Sequence, residues 1–163
     1  MLCGRRPKTT FSTSKNEKRG SANKMKTLFG YADKNNIQIE YGRLPENKSI
    51  SFSITDEDYV IIDYSLLFNQ KEEGVHLAHE LGHCATGSFY NLYSPLDIRM
   101  KHEIRADKWA IKHLISEEDL DAAITNGYTE IWSLAEYFDV TEDFMKKVVC
   151  WYTYGNLDTE LYF

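Results

Sequence analysis

The sequence predicts an α+β fold: a small, mostly antiparallel sheet packed on a helix that bears a paired-histidine motif, then a second, acid-bearing helix and short C-terminal helices. Three observations predict it. Residues 37–64 contain three short runs rich in Ile, Val, Phe and Tyr, the composition of strands. Residues 69–115 contain two longer stretches with apolar residues three and four apart, a helical period. The remainder breaks into short helix-compatible pieces with capping residues ahead of them. Strands followed by helices, instead of strands alternating with helices, is the α+β pattern.

The elements follow in order. Ser21 to Ala32 is helix-compatible, with Met25, Leu28, Phe29 and Ala32 on one face, and the polar residues Asp33 to Asn36 stop it. Ile37–Tyr41 alternates Ile37, Ile39 and Tyr41, and Ser49–Ile54 alternates Ile50, Phe52 and Ile54. That alternation predicts half-buried strands with those residues turned inward. Tyr59–Tyr64 reads as a more buried strand through Val60, Ile61 and Ile62, and the polar turn Thr55 to Asp58 makes the last two strands a hairpin. A helix is expected from about Asn69 to Thr86, its apolar side supplied by Phe68, Val75, Leu77, Ala78 and Leu81. Gly87, Asn91 and Pro95 mark a loop to about Arg99. A second strong helix is expected from Ile98 to Ile115 on a stripe of Ile104, Ala106, Ala110, Ile111 and Leu114. Short helices follow at Glu117–Thr125, Glu130–Phe138 and Thr141–Tyr152, with Ser116 and Thr141 at N-cap positions ahead of acids.

Bulk properties narrow the class. Hydrophobic residues at 42% and charged residues at 27% are ordinary globular usage. No apolar run approaches the roughly 18 to 20 residues that span a bilayer, and the N-terminus lacks a secretory apolar core, so a cytoplasmic location is the expectation. Cys3, Cys84 and Cys150 form no framework and no CxxC pair, which points to free thiols. The net charge of −6 is unevenly spread. Residues 1–26 are basic, with Glu17 their lone acid, while residues 114–163 carry many acids against Lys146 and Lys147. The division expected is a disordered basic extension at 1–24, an α+β domain at 25–115 and a helical extension at 116–163 packed on it.

The chemistry is concentrated at His79-Glu80-Leu-Gly-His83. Residues four apart on a helix share a face, so His79 and His83 can direct imidazole nitrogens at one ion. Glu80 stands about 100° round from His79. It is placed to act on water at the open side of such an ion and not as a ligand. A catalytic zinc takes a third protein ligand. Glu103 and Asp107, four apart on the next helix, supply the natural choices: Glu103 as ligand, and Asp107 as acceptor for the outer nitrogen of His79 or His83. His102, Asp107 and His113 are rival third ligands. Tyr90, Tyr93 and His102, in or beside the intervening loop, are candidate donors to a developing oxyanion. One Zn2+ is the expected cofactor, with manganese and iron compatible with the same donors.

Two segments carry a family resemblance. Val75-His-Leu-Ala-His-Glu-Leu-Gly-His83 resembles the F-x-x-A-H-E-x-G-H helix of the ImmA/IrrE metallopeptidases, the M78 peptidases. Glu103-Ile-Arg-Ala-Asp-Lys-Trp-Ala110 resembles their E-x-x-A-N/D-x-F-A helix. Val60-Ile-Ile-Asp63 stands where the family has its last strand before the active-site helix. The likeness covers roughly Met25 to Ile115, and more weakly the rest. It departs at Leu114-Ile-Ser-Glu, where the family often has L-L-M-P. It implies a zincin-like fold and a gluzincin-type ligand set with Glu103 third. It also implies a regulatory endopeptidase whose protein substrate is a helix-turn-helix repressor of a phage or mobile element. Two other readings compete. One is a non-catalytic, metal-stabilised module that sequesters a repressor or antitoxin-type partner. The other is a DNA-binding regulator using the C-terminal helices, where Ala135, Val140 and Met145 have helix-turn-helix spacing. The acid excess of that region argues against phosphate contact, which needs Lys and Arg. No membrane partner is expected.

Overall fold

A computed structural model describes residues 17–46, 48–91 and 93–163. The fold is α+β. Helix α1 (Glu17–Lys34) leads into strand β1 (Ile37–Gly42), β2 (Ser49–Ile54) and β3 (Glu57–Asp63). A 3-10 turn at Tyr64–Phe68 precedes α2 (Gln70–Thr86) and α3 (Leu96–Leu114). Then come α4 (Glu117–Thr125), α5 (Ile131–Phe138) and α6 (Glu142–Tyr154). Helix α1 begins at Glu17, inside the segment expected to be a disordered extension, and residues 1–16, with Cys3, lie outside the described residues.

The expected mostly antiparallel sheet is mixed. Its order is β1-β3-β2, with β2 and β3 antiparallel but β1 and β3 parallel. The hairpin between β2 and β3 turns on Thr55 and Asp56, both at positive φ (50° and 66°), the backbone a two-residue primed turn requires. β1 and β2 flank β3 on its two sides, and the chain between them is tied to the end of β3 at Leu44 and Lys48. Asp63 makes both ties: its carboxylate accepts from the Leu44 amide at 2.6 Å and its own amide donates to the Lys48 carbonyl at 2.8 Å. Those hydrogen bonds from the Leu44 amide, then from Ser65, push the Asp63 carboxyl down to about 2.

The register reverses the expected burial of β2. Ser51 pairs with buried Val60 and Ser49 with buried Ile62, so the serines share the inner face. Ile50 and Ile54 are exposed on the outer face, where Phe52 stacks on its partner Tyr59. Two further expectations fail in the same direction. Phe68, expected to back α2, is 94% exposed in the 3-10 turn, and Ile104 is exposed beside the buried stripe of α3. Ala106, Ala110, Ile111 and Leu114 do form that stripe.

Among the described residues, one core is shared by all parts of the fold. Leu28 and Ala32 of α1, Val60 and Ile62 of β3, Leu77 and Leu81 of α2, Ile111 of α3, and Leu134, Met145 and Val148 of the later helices belong to a single buried cluster. The helix-turn-helix spacing residues Ala135, Val140 and Met145 are buried in it, around a turn where Asp139 is left-handed (φ 51°). Cys150 is buried and Cys84 half-buried, both as free thiols. Tyr152 donates to the Ile115 carbonyl at 2.8 Å and Tyr154 stacks on Tyr162, while Phe163 stays exposed. Among the described residues, no helix is long and apolar enough to cross a membrane.

The α2–α3 contact positions the site. A Cβ added at Gly82 would come within 2.6 Å of the Ala106 carbonyl oxygen and 2.9 Å of its Cα. Only glycine at this position lets the two backbones approach so closely. Gly82 is one turn from His79 and next to His83, so the contact sets the distance at which α3 presents its acids.

Candidate metal centre

Helix α2 carries four polar groups on one stripe: His76, His79, Glu80 and His83. The His79 and His83 Nε2 atoms lie 3.1 Å apart. Glu103 of α3 reaches both, with one oxygen 3.1 Å from His79 Nε2 and the other 3.3 Å from His83 Nε2. The ligand-capable atoms of these three residues all lie within 4.8 Å of one another, the one such group among the described residues.

The outer ring nitrogens determine what the inner ones can do. His83 Nδ1 stands 2.9 Å from the Ser88 carbonyl, which can only accept, so Nδ1 carries the proton. His79 Nδ1 stands 2.9 Å from an Asp107 carboxylate oxygen and donates likewise. Both Nε2 atoms are thereby free to offer lone pairs towards the Glu103 carboxylate, and such a cluster of acceptors requires a positive charge between its members. Tetrahedral zinc at about 2.0–2.1 Å from its nitrogens separates them by roughly 3.3 Å. The donor set, its spacing and its tautomers therefore fit one divalent ion, with His79, His83 and Glu103 as the holders.

Burial disfavours a charged His79, but its hydrogen bonds to Asp107 and then Glu103 outweigh this and push its pKa up to about 10. Burial likewise works against ionised Glu103, yet His79, His83 and Tyr90 together hold its carboxyl far below the usual range. Asp107 is held down too, against its burial, by His79 and by the Lys147 ammonium at 2.7 Å.

Each bracing group has a local origin. Gly87 ends α2 in the left-handed conformation (φ 59°), turning the chain so that the Ser88 amide donates to the His83 carbonyl at 3.0 Å. The same turn brings the fully buried Ser88 onto His83. Asp107 is one helical turn from Glu103 and meets His79, the histidine one turn back from His83. Lys147 comes from α6.

Glu80 lies on the other flank of the stripe, 7% exposed. Its two oxygens accept from the Ser49 hydroxyl at 2.7 Å and the Ser51 hydroxyl at 2.6 Å, both on β2. Because Ser49 gives its proton to Glu80, the His76 Nδ1 at 2.9 Å donates to Ser49. Burial lowers the pKa of His76, which is consistent with a neutral ring in this chain of hydrogen bonds.

The loop residues separate. Tyr90 donates to Glu103 at 2.6 Å and its ring meets His83 edge-on, so it borders the centre. Burial and the Glu103 contact push its hydroxyl up to about 12, which keeps it a donor. His102 spends Nδ1 on the Phe89 carbonyl at 3.0 Å, and Tyr93 is 95% exposed. His113 stacks on Trp109 at 3.6 Å and lies outside the cluster. Sequence reasoning missed Ser49, Ser51, Ser88 and Lys147. The serines had a legible signal, alternation at 49, 51 and 53, which the apolar residues between them overrode. For Lys147 the sequence offered none.

No curated protein sequence matches the chain. A family model does: the M78 peptidase model, described as the IrrE N-terminal-like domain, matches residues 32–148. That span takes in the sheet, both helices of the triad and Lys147, and on this match the chain belongs to the M78 peptidase family.

Proposed function

We propose that the chain is a zinc-dependent endopeptidase of zincin-like architecture that acts in the cytoplasm on a helix-turn-helix repressor of a phage or mobile element. The observation that carries the peptidase reading is the convergence of two correctly tautomerised histidines and Glu103 beside a carboxylate, Glu80, that is held but not used as a ligand. A purely structural metal site has no need of that fourth group. The repressor as substrate rests on the family resemblance.

The ion would supply Lewis acidity, polarising a peptide carbonyl and acidifying water. Glu80 keeps a second lone pair on each oxygen after accepting from Ser49 and Ser51. It takes the proton released as water adds to the carbonyl, and returns it to the departing amine. Tyr90, the loop residue that borders the triad, is the donor best placed for the oxyanion. Strand β2 is an edge of the sheet and carries both serines, so a substrate strand paired to it would lie next to Glu80.

The test is incubation of zinc-loaded protein with a repressor encoded beside it. The expected result is one discrete cut, abolished by Glu80→Gln with zinc still bound. Stoichiometric zinc with tight repressor binding and no cut would replace the peptidase with the sequestering module.

A further inference from the structure

The two hydroxyls that grip Glu80 are not equally secure. Ser51 lies inside β2, opposite buried Val60 of β3, and strand pairing on both sides of it fixes its place. Ser49 is the first residue of the strand. A hydroxyl at a strand end can turn about its side-chain bond and donate elsewhere. Yet Ser49 meets Glu80 as closely as Ser51 does, at 2.7 Å against 2.6 Å. The difference is a second tie: His76 Nδ1 stands 2.9 Å from the Ser49 oxygen. Among the described residues, the Ser51 hydroxyl has no such partner besides Glu80.

Helix pitch places that tie. His76 and Glu80 are four apart on α2 and so share a face. The Ser49 oxygen reaches from β2 to both of them. Ser49 has one proton, and a carboxylate can only accept, so that proton goes to Glu80 and the His76 Nδ1–H donates to Ser49. The chain of donation therefore runs one way, from His76 through Ser49 to Glu80. A hydroxyl that accepts a hydrogen bond donates a stronger one. A neutral imidazole in water favours its proton on Nε2, so the Nδ1–H form is a tautomer selected by this contact. His76 stands apart from the residues that can hold the ion, which are His79, His83 and Glu103.

We infer that His76 is a positioning residue for the general base: its Nδ1–H locks the Ser49 hydroxyl onto Glu80 and so keeps that carboxylate in one orientation. The inference rests on the peptidase reading, in which Glu80 is the base. It assigns the third imidazole of the α2 stripe to the carboxylate and not to the metal.

The test uses the full chain loaded with one zinc and acetohydroxamic acid as probe, with binding followed by calorimetry. A hydroxamic acid gives up its O–H proton when it chelates zinc, and a base beside the ion takes that proton. Glu80→Gln should therefore weaken the probe about tenfold or more, the loss of a charge-assisted hydrogen bond. His76→Leu should weaken it about fivefold with zinc still at one per chain, the equivalent of one neutral hydrogen bond. His76→Asn, which offers an N–H near the Nδ1 position, should restore most of the affinity. In a Ser49→Ala background, His76→Leu should have no further effect, because His76 acts only through that hydroxyl. Nitrogen-15 NMR of the unmodified zinc-loaded protein should show the proton of His76 on Nδ1, moving to Nε2 in Ser49→Ala. An Nε2–H ring in the unmodified protein overturns the inference, and so does a His76→Leu variant that binds the probe as tightly as the parent while Glu80→Gln does not. If Glu80→Gln leaves probe affinity unchanged, or the probe does not bind zinc-loaded protein at all, the peptidase reading falls and the role of His76 falls with it.

Discussion

The two flanks of the polar stripe on α2 are braced by different parts of the chain. His79 and His83 are held from the helical side, by Asp107 on α3 and by Ser88 in the turn that ends α2 itself. His76 and Glu80 are held from the sheet, by Ser49 and Ser51 on strand β2, some thirty residues upstream. The metal flank therefore depends on helix pitch and on the Gly82–Ala106 approach. The carboxylate flank depends on strand register, where a slip of one residue would replace both hydroxyls by Ile50 and Phe52. Holding an ion and aiming a base are separable properties of one helix, and substitutions should pull them apart.

The largest separation is expected from Glu103→Ala and Glu80→Gln taken together. Glu103→Ala should lose the metal, read by elemental analysis after dialysis; stoichiometric zinc in that variant would move the third-ligand role elsewhere. Glu80→Gln should keep the metal while turnover drops by about 10²–10⁴; full activity would remove Glu80 from the mechanism. Asp107→Asn comes next, with zinc affinity down about 10- to 100-fold in chelator competition. An unchanged affinity would mean that the brace on His79 is dispensable.

Ser51→Ala and Ser49→Ala should each lower turnover by about tenfold, the equivalent of one lost hydrogen bond to a charged group. Zinc affinity should stay as it was, and a parallel loss of zinc would merge the two flanks into one unit. The smallest effect belongs to Asp63, at the junction where β3 hands the chain to α2. Its carboxyl is depressed from an ordinary value of 3.8 to about 2, so its contribution to stability is present above 3.8 and disappears as pH falls through 2. Asp63→Asn should lower the thermal midpoint slightly at neutral pH and much less near pH 2. An equal loss at both pH values would show that charge is irrelevant at that junction.

The same contrast explains what could be read from the sequence. Helices α2 and α3 were legible because the ligand spacing and the apolar spacing share one period, and one turn separates His79 from His83 as it does Glu103 from Asp107. Which histidine Asp107 would meet was open, since that depends on the direction in which α3 crosses α2. Strand β2 misled for a physical reason. Alternation marks two faces but not which one is inward, and here the inner face meets a carboxylate instead of the core, so the serines turn in and Ile50 and Ile54 turn out. The parallel pairing of β1 comes with a connection tied to Asp63, a contact across nineteen residues. Phe68 and Ile104 were assigned inward by period alone; Phe68 falls in the 3-10 turn ahead of α2, and Ile104 lies beside the buried stripe of α3 and not on it.

Lys147 gives the last helix a stake in the centre. Its ammonium, from α6, rests on the carboxylate that orients His79, and Leu134, Met145 and Val148 share the core beneath. A fragment trimmed after Leu114 to isolate the histidine motif would strip Asp107 of its counter-ion and lay bare a wall of Leu and Val in the same stroke. Shortened versions of this protein for inhibitor screening should therefore keep the chain at least through α6.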